Sequence, residues 1–151
     1  MMSPACEQAL TDAVDTGSAF LKFISANDVG LTGTHQSGFY LPKSIWEILT
    51  PHPPRQGSNN FHPVIIRWQD GTSTNSVVKW YGQGTRSEYR LTRFGKGFRW
   101  RAHENLGNLL IIVPHNLTEF NAYVMDSDND IQEIQAELGL EVLDSWALYR
   151  R

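Results

Sequence analysis

Residues 64–81 read VIIRWQDGTSTNSVVKWY. An apolar run, Val64 to Trp68, meets Asp70-Gly71, a dipeptide suited to the positive torsions of a tight hairpin turn, and a second run, Val77 to Tyr81, returns. The branched and aromatic residues on both sides of that turn predict two antiparallel strands. The pattern repeats outward. Upstream, Phe20 to Ile24 reads as a strand, and Gly38 to Leu41 as another with Phe39 and Leu41 on one side and Tyr40 on the other. Downstream, Glu88 to Phe94 alternates, Asn108 to Val113 is almost wholly apolar and so predicts a central strand, and Phe120 to Met125 adds one more. Seven short strands divided by turn signals predict a mainly β, α+β domain, a partly open barrel flanked by two short helices.

The first helix is expected from Ser44-Ile45-Trp46-Glu47, which has capping-box spacing and ends at Pro51, Pro53 and Pro54. The second runs to Leu138, capped by Asp128 or Asp130, with Gly139 just past its end. Residues 6–15 carry a weak helical spacing, and residues 140–149 fit either a strand or a helix.

A chain of 151 residues suggests one domain over 1–151, with its core at about 20–140. No apolar run approaches the roughly 18 residues of a membrane span, and the N-terminus lacks the basic start of a secretory signal. With one cysteine, Cys6, an internal disulfide is excluded, and a reducing cytoplasmic compartment is expected.

The net charge of −3 conceals a division. Residues 79–101 hold seven basic and one acidic side chain, whereas residues 102–151 hold two basic and nine acidic. Such separated blocks create a two-faced field, and the basic block suits phosphates. A solvated strand that merely gathers arginines is the plainer alternative. Catalytic patterns are missing: no Asp-x-Lys or Glu-x-Lys triplet, no paired-histidine metal motif, no Gly-x-Ser-x-Gly elbow and no phosphate-cradling Gly-Lys-Ser/Thr loop. Asp126, Asp128, Asp130 and Glu137 match positions of a calcium loop, but Ile131 stands where that loop needs glycine, so helix capping is the better reading.

Two polar segments carry the functional reading. In residues 82–101, GQGTRSEYRLTRFGKGFRWR, an extended chain would project Arg86, Glu88 and Arg90 from one side. Such a row can be internal salt bridges, or it can read base edges, arginine forking onto guanine and glutamate accepting from the cytosine amino group. Arg93, Lys96, Arg99 and Arg101 suit the phosphate backbone. In residues 24–42, ISANDVGLTGTHQSGFYLP, Asn27 and Gln36 can pair with adenine, while Ser25, Thr32, Thr34 and His35 suit bases or phosphates. Together they favour double-stranded DNA. A small self-contained nuclease is one alternative. Another is a single-strand-binding barrel that stacks bases on Phe94, Phe98 and Trp100.

The ordered elements Ser25-Ala26-Asn27-Asp28, Gly30, Thr32-Gly33, His35-Gln36, Gly38, Tyr40 and Pro42, then Thr85-Arg86, Glu88, Arg90, Thr92-Arg93, Gly95, Gly97, Glu104-Asn105 and Gly107, resemble the N-terminal effector domain of EcoRII-like type IIE restriction endonucleases. The resemblance covers about residues 20–140. It implies a pseudobarrel of the plant B-three type whose two arms, here about 22–36 and 84–93, clamp the major groove at a CC(A/T)GG-like site. It further implies a prokaryotic restriction-modification protein in which this domain regulates a covalently attached nuclease domain. On that reading this chain is not itself an enzyme and has no cofactor, Mg²⁺ belonging to the nuclease domain. The residues expected to touch DNA are Lys22, Ser25, Asn27, Asp28, Thr32, His35, Gln36, Tyr40, Arg86, Glu88, Tyr89, Arg90, Thr92, Arg93 and Lys96. The chain departs at Gly84 and Tyr89 from a family member that carries lysine at both positions.

Overall fold

The computed structural model describes residues 1–32, 38–143 and 145–151. Among the described residues, eight strands form one sheet: β1 Ser18–Phe23, β2 Phe39–Leu41, β3 Asn59–Trp68, β4 Ser73–Tyr81, β5 Glu88–Thr92, β6 Leu109–Pro114, β7 Glu119–Met125 and β8 Trp146–Arg150. Their order is β2-β5-β4-β3-β7-β6-β1-β8. All pairings are antiparallel except β3 with β7. Three helices accompany the sheet: α1 Pro4–Thr16, α2 Trp46–Leu49 and α3 Asp128–Leu138. The mainly β, partly open architecture is as the sequence predicts, with one strand and one helix more.

The additional helix, α1, is well terminated. The Ser3 hydroxyl accepts from the Cys6 amide, Pro4 opens the first turn, and Gly17 closes the last in the left-handed region at φ 86°. Its buried stripe is Cys6, Ala9, Leu10 and Ala13. These are mostly small side chains, which is why their spacing signals so weakly in the sequence. The additional strand, β8, is an edge strand beside β1, and it keeps most of its side chains half-buried.

Two local expectations are corrected. A tight helical turn over Lys43–Ile45 follows Pro42, so Ser44 lies within it instead of capping it, and the Ser44 hydroxyl is buried with no hydrogen-bond partner among the described residues. The cap of α3 is Ser127, whose hydroxyl accepts from the Asp130 amide. The Asp130 carboxylate faces the other helix instead, accepting from the Ser3 amide at 3.0 Å and the Ser3 hydroxyl at 2.6 Å.

The sheet curves around a first core that includes Phe20, Phe39, Leu41, Ile66, Trp80, Tyr89, Leu91 and Ile112. Its back is covered by α1 and α3 over a second core that includes Leu21, Ile111, Val113, Tyr123 and Ile134. β6 contributes to both: Leu110 and Ile112 face the first core, Leu109, Ile111 and Val113 the second. Burial on two faces explains its continuous apolar run.

Candidate nucleic-acid interface

The first arm leaves β1 and returns through β2. Its base is organised around Asp28, which is fully buried. One carboxylate oxygen lies 2.6 Å from the Lys22 ammonium and accepts from the Ser25 amide; the other accepts from the Tyr40 amide at 3.0 Å. The Ser25 hydroxyl accepts from the Asp28 amide in return. Lys22 also donates to the Tyr40 carbonyl, and Arg101 Nε donates to the Asp28 carbonyl at 2.9 Å. Burial lowers the pKa of Lys22; the adjacent Asp28 charge counters that effect and the nearby Arg90 adds to it. Arg101 is lowered in the same way, by burial first and by Arg90. Lys22, Ser25 and Asp28 therefore hold the arm in place through buried or half-buried bonds. Farther out, the Asn27 carboxamide oxygen accepts from the exposed Thr32 hydroxyl. His35 and Gln36 lie outside the described residues.

The second arm enters β5. Tyr89 and Leu91 face the core, so Glu88, Arg90 and Thr92 share the opposite face, as alternation predicts. Their exposures differ sharply. The Arg86 side chain is 46% exposed and bonds Glu88 at 2.5 Å, whereas Arg90 is 4% exposed and lies 3.7 Å from the other Glu88 oxygen. The expected row is thus split: Arg86 and Glu88 reach solvent, and Arg90 is interior. Thr92 is also buried, its hydroxyl without a hydrogen-bond partner among the described residues. Tyr89 is a core residue: it packs on Trp80 with centroids 4.9 Å apart and donates to the His52 carbonyl at 2.6 Å. Burial pushes its phenol up to about 12. Direct contact by Lys22, Asp28, Tyr89, Arg90 or Thr92 side chains does not fit this arrangement, because each is enclosed by its own bonds or packing. Arg93 and Lys96 are exposed beyond the strand.

The arms meet because β2 pairs with β5. Phe39 lies across from Leu91, Tyr40 across from Arg90 and Leu41 across from Tyr89. Gly38 sits at the junction with φ 83°, where a Cβ would overlap the Leu91 carbonyl, so only glycine allows this approach. Tyr40 is exposed at the seam. Two segments some fifty residues apart in sequence consequently share one wall. Sequence reasoning missed what supports them. Gln56 and Tyr81 contact Arg86 of the second arm, and Asn59 accepts from the Gly82 and Gln83 amides just before it. The register of β4 against β5, which sets Tyr81 across from Glu88 and Lys79 across from Arg90, is the signal that singles out Tyr81. Phe94 and Phe98 stack on each other and pack edge-on against Trp68, and Trp100 is buried, so these rings are not an open stacking platform.

Residues 13–146 match the family of restriction endonuclease EcoRII N-terminal domains. The chain belongs to that family. It is 26% identical over 152 residues to the type II restriction enzyme EcoRII of Escherichia coli, covering 92% of this chain and 38% of that enzyme. The crystal structure of the UbaLAI restriction endonuclease B3 domain with cognate DNA superposes with a TM-score of 0.57 at 15% identity, over 99% of this chain and all of that one. The fold is therefore a B3-type pseudobarrel. At position 89, Trp80 and the His52 carbonyl enclose the tyrosine ring and its hydroxyl, a niche a lysine ammonium would not suit.

Proposed function

We propose that this chain is a double-stranded DNA recognition domain whose two arms straddle the major groove. The observation that carries the reading is the β2–β5 pairing, which sets the exposed Tyr40 beside the arm that presents Arg86 and Glu88. Arg86 and Glu88 are the base readers of the second arm, with Tyr40, Asn27, Thr32, His35 and Gln36 serving the first. Arg93 and Lys96 hold phosphates. Lys22, Ser25, Asp28, Arg90 and Thr92 frame the arms from behind. The EcoRII relative supports a restriction setting, and the reading extends to a CC(A/T)GG-like target, a nuclease domain attached in the parent protein, Mg²⁺ serving that domain alone, and a cytoplasmic location. No described helix is long and apolar enough to cross a membrane.

Selection from random duplexes, sequenced after repeated rounds of binding, tests this. A short enriched motif of CC(A/T)GG type is expected; enrichment of single strands, or of no motif, would remove the reading. Incubation with plasmid and Mg²⁺ should leave the plasmid intact, and clean cleavage would make the chain a nuclease in its own right.

A further inference from the structure

The second arm is fastened by a residue outside both arms. Gln56 Nε2 lies 2.7 Å from the Gly82 carbonyl, 3.0 Å from the Arg86 carbonyl and 3.3 Å from the Gly84 carbonyl. Three alternate carbonyls of one short loop thus converge on a single atom. Three acceptors around it require the nitrogen end of the carboxamide, which supplies two N–H donors. Neighbours of Gln56 complete the grip: the Gly57 amide donates to the Gly82 carbonyl at 2.6 Å, and Asn59 Oδ1 accepts from the Gly82 and Gln83 amides. At Gly82 a Cβ would overlap Trp80 Nε1 and the Ser58 carbonyl, so this loop packs closely on its support.

What the grip presents is Arg86. Its amide donates to the Gln83 carbonyl and its carbonyl is held by Gln56. Its guanidinium lies over the Tyr81 ring, 3.8 Å from the centroid, while one edge bonds Glu88. The backbone, one face and one edge of the fork are fixed, and the side chain is still 46% exposed. A loop with glycines at 82 and 84 would otherwise sample many conformations, and a free arginine would lose much rotamer freedom on binding.

We propose that Gln56 is a positioning residue for base reading: by sharing its two N–H groups among the Gly82, Gly84 and Arg86 carbonyls it sets the pose in which Arg86, laid on Tyr81, meets a base edge. The inference rests on the DNA reading above and extends it to a residue outside either arm. Gln56 is itself exposed, so its removal leaves both cores untouched.

Gln56→Met removes donation without adding charge, and Gln56→Lys returns three donors. ¹⁵N relaxation at Arg86 Nε and amide exchange over residues 82–88 report the pose without DNA. In the Met variant Arg86 should become mobile and those amides lose protection, while the melting temperature shifts by only a few degrees. Its preference for the selected duplex over random duplex should fall on the order of tenfold or more, with random binding retained. The Lys variant should restore Arg86 order and most of that preference. Wild-type order and preference in the Met variant would overturn the proposal. If the wild-type chain selects no duplex, the DNA reading fails, and the relaxation data still decide whether Gln56 holds Arg86.

Discussion

Lys22 and Asp28 form a 2.6 Å ion pair in which the carboxylate is fully enclosed and the lysine side chain only 5% exposed. That pair fixes where the first arm starts and where β2 begins, since Asp28 also accepts from the Ser25 and Tyr40 amides. Removing one partner of such a pair leaves a buried charge with less compensation than before. Asp28→Asn should therefore cost about 3–5 kcal/mol of stability in urea unfolding. It should also abolish duplex binding under conditions where the variant stays folded. A loss under about 1 kcal/mol would show that this pair does not anchor the arm.

Arg86→Ala should leave stability within about 0.5 kcal/mol of the parent, because the side chain is half exposed and outside both cores. Binding to the selected duplex should weaken by about 1–3 kcal/mol, with relaxed choice at the contacted base pair. Titrations against selected and random duplexes check this. Equal loss on both would assign Arg86 to phosphate.

Lys96 is exposed and forms no ion pair with a described residue. Lys96→Ala should weaken all duplexes alike and flatten the dependence of log affinity on log salt by about 0.9. A sequence-dependent effect would instead place this side chain on a base.

The Asp130–Ser3 contact gives the helical layer a pH dependence. Burial alone would raise the Asp130 pKa, but the hydrogen bonds from the Ser3 hydroxyl and amide outweigh it and hold it below its ordinary value of 3.8. A folded-state pKa below the unfolded one contributes stability above the unfolded pKa, and that contribution is lost as pH falls through the folded value. Below about pH 4, α1 amides should thus begin to lose exchange protection ahead of the sheet. Asp130→Asn should show the loosened helix already at neutral pH, at a cost of about 1–3 kcal/mol. Identical acid profiles for the two proteins would disconnect Asp130 from helix docking.

Much of this structure was legible from short-range patterns. The turn at Asp70-Gly71, the alternation of Phe39, Tyr40 and Leu41, and the unbroken apolarity of Leu109 to Val113 all express burial directly. Elements whose signal depends on a distant partner were harder to read. α1 hides behind small residues that suffice only because α3 and the sheet lie close, and β8 becomes a strand through pairing with β1. The same division governs the site. Charge and spacing pointed to both arms, and alternation set Glu88 and Arg90 on one face. That Arg90 and Lys22 are interior while Arg86 is exposed follows from long-range packing, and so does the contact of Gln56 with the Arg86 carbonyl thirty residues on.

Because β6 sends alternate side chains into both cores, and Leu110 pairs with Lys22 across the β1–β6 ladder, the rear of the molecule and the root of the first arm share one mechanical member. Damage at Ile111, beneath the helical layer, would therefore be felt at the grip on DNA, and the domain should melt in one step, without releasing its helices first at neutral pH.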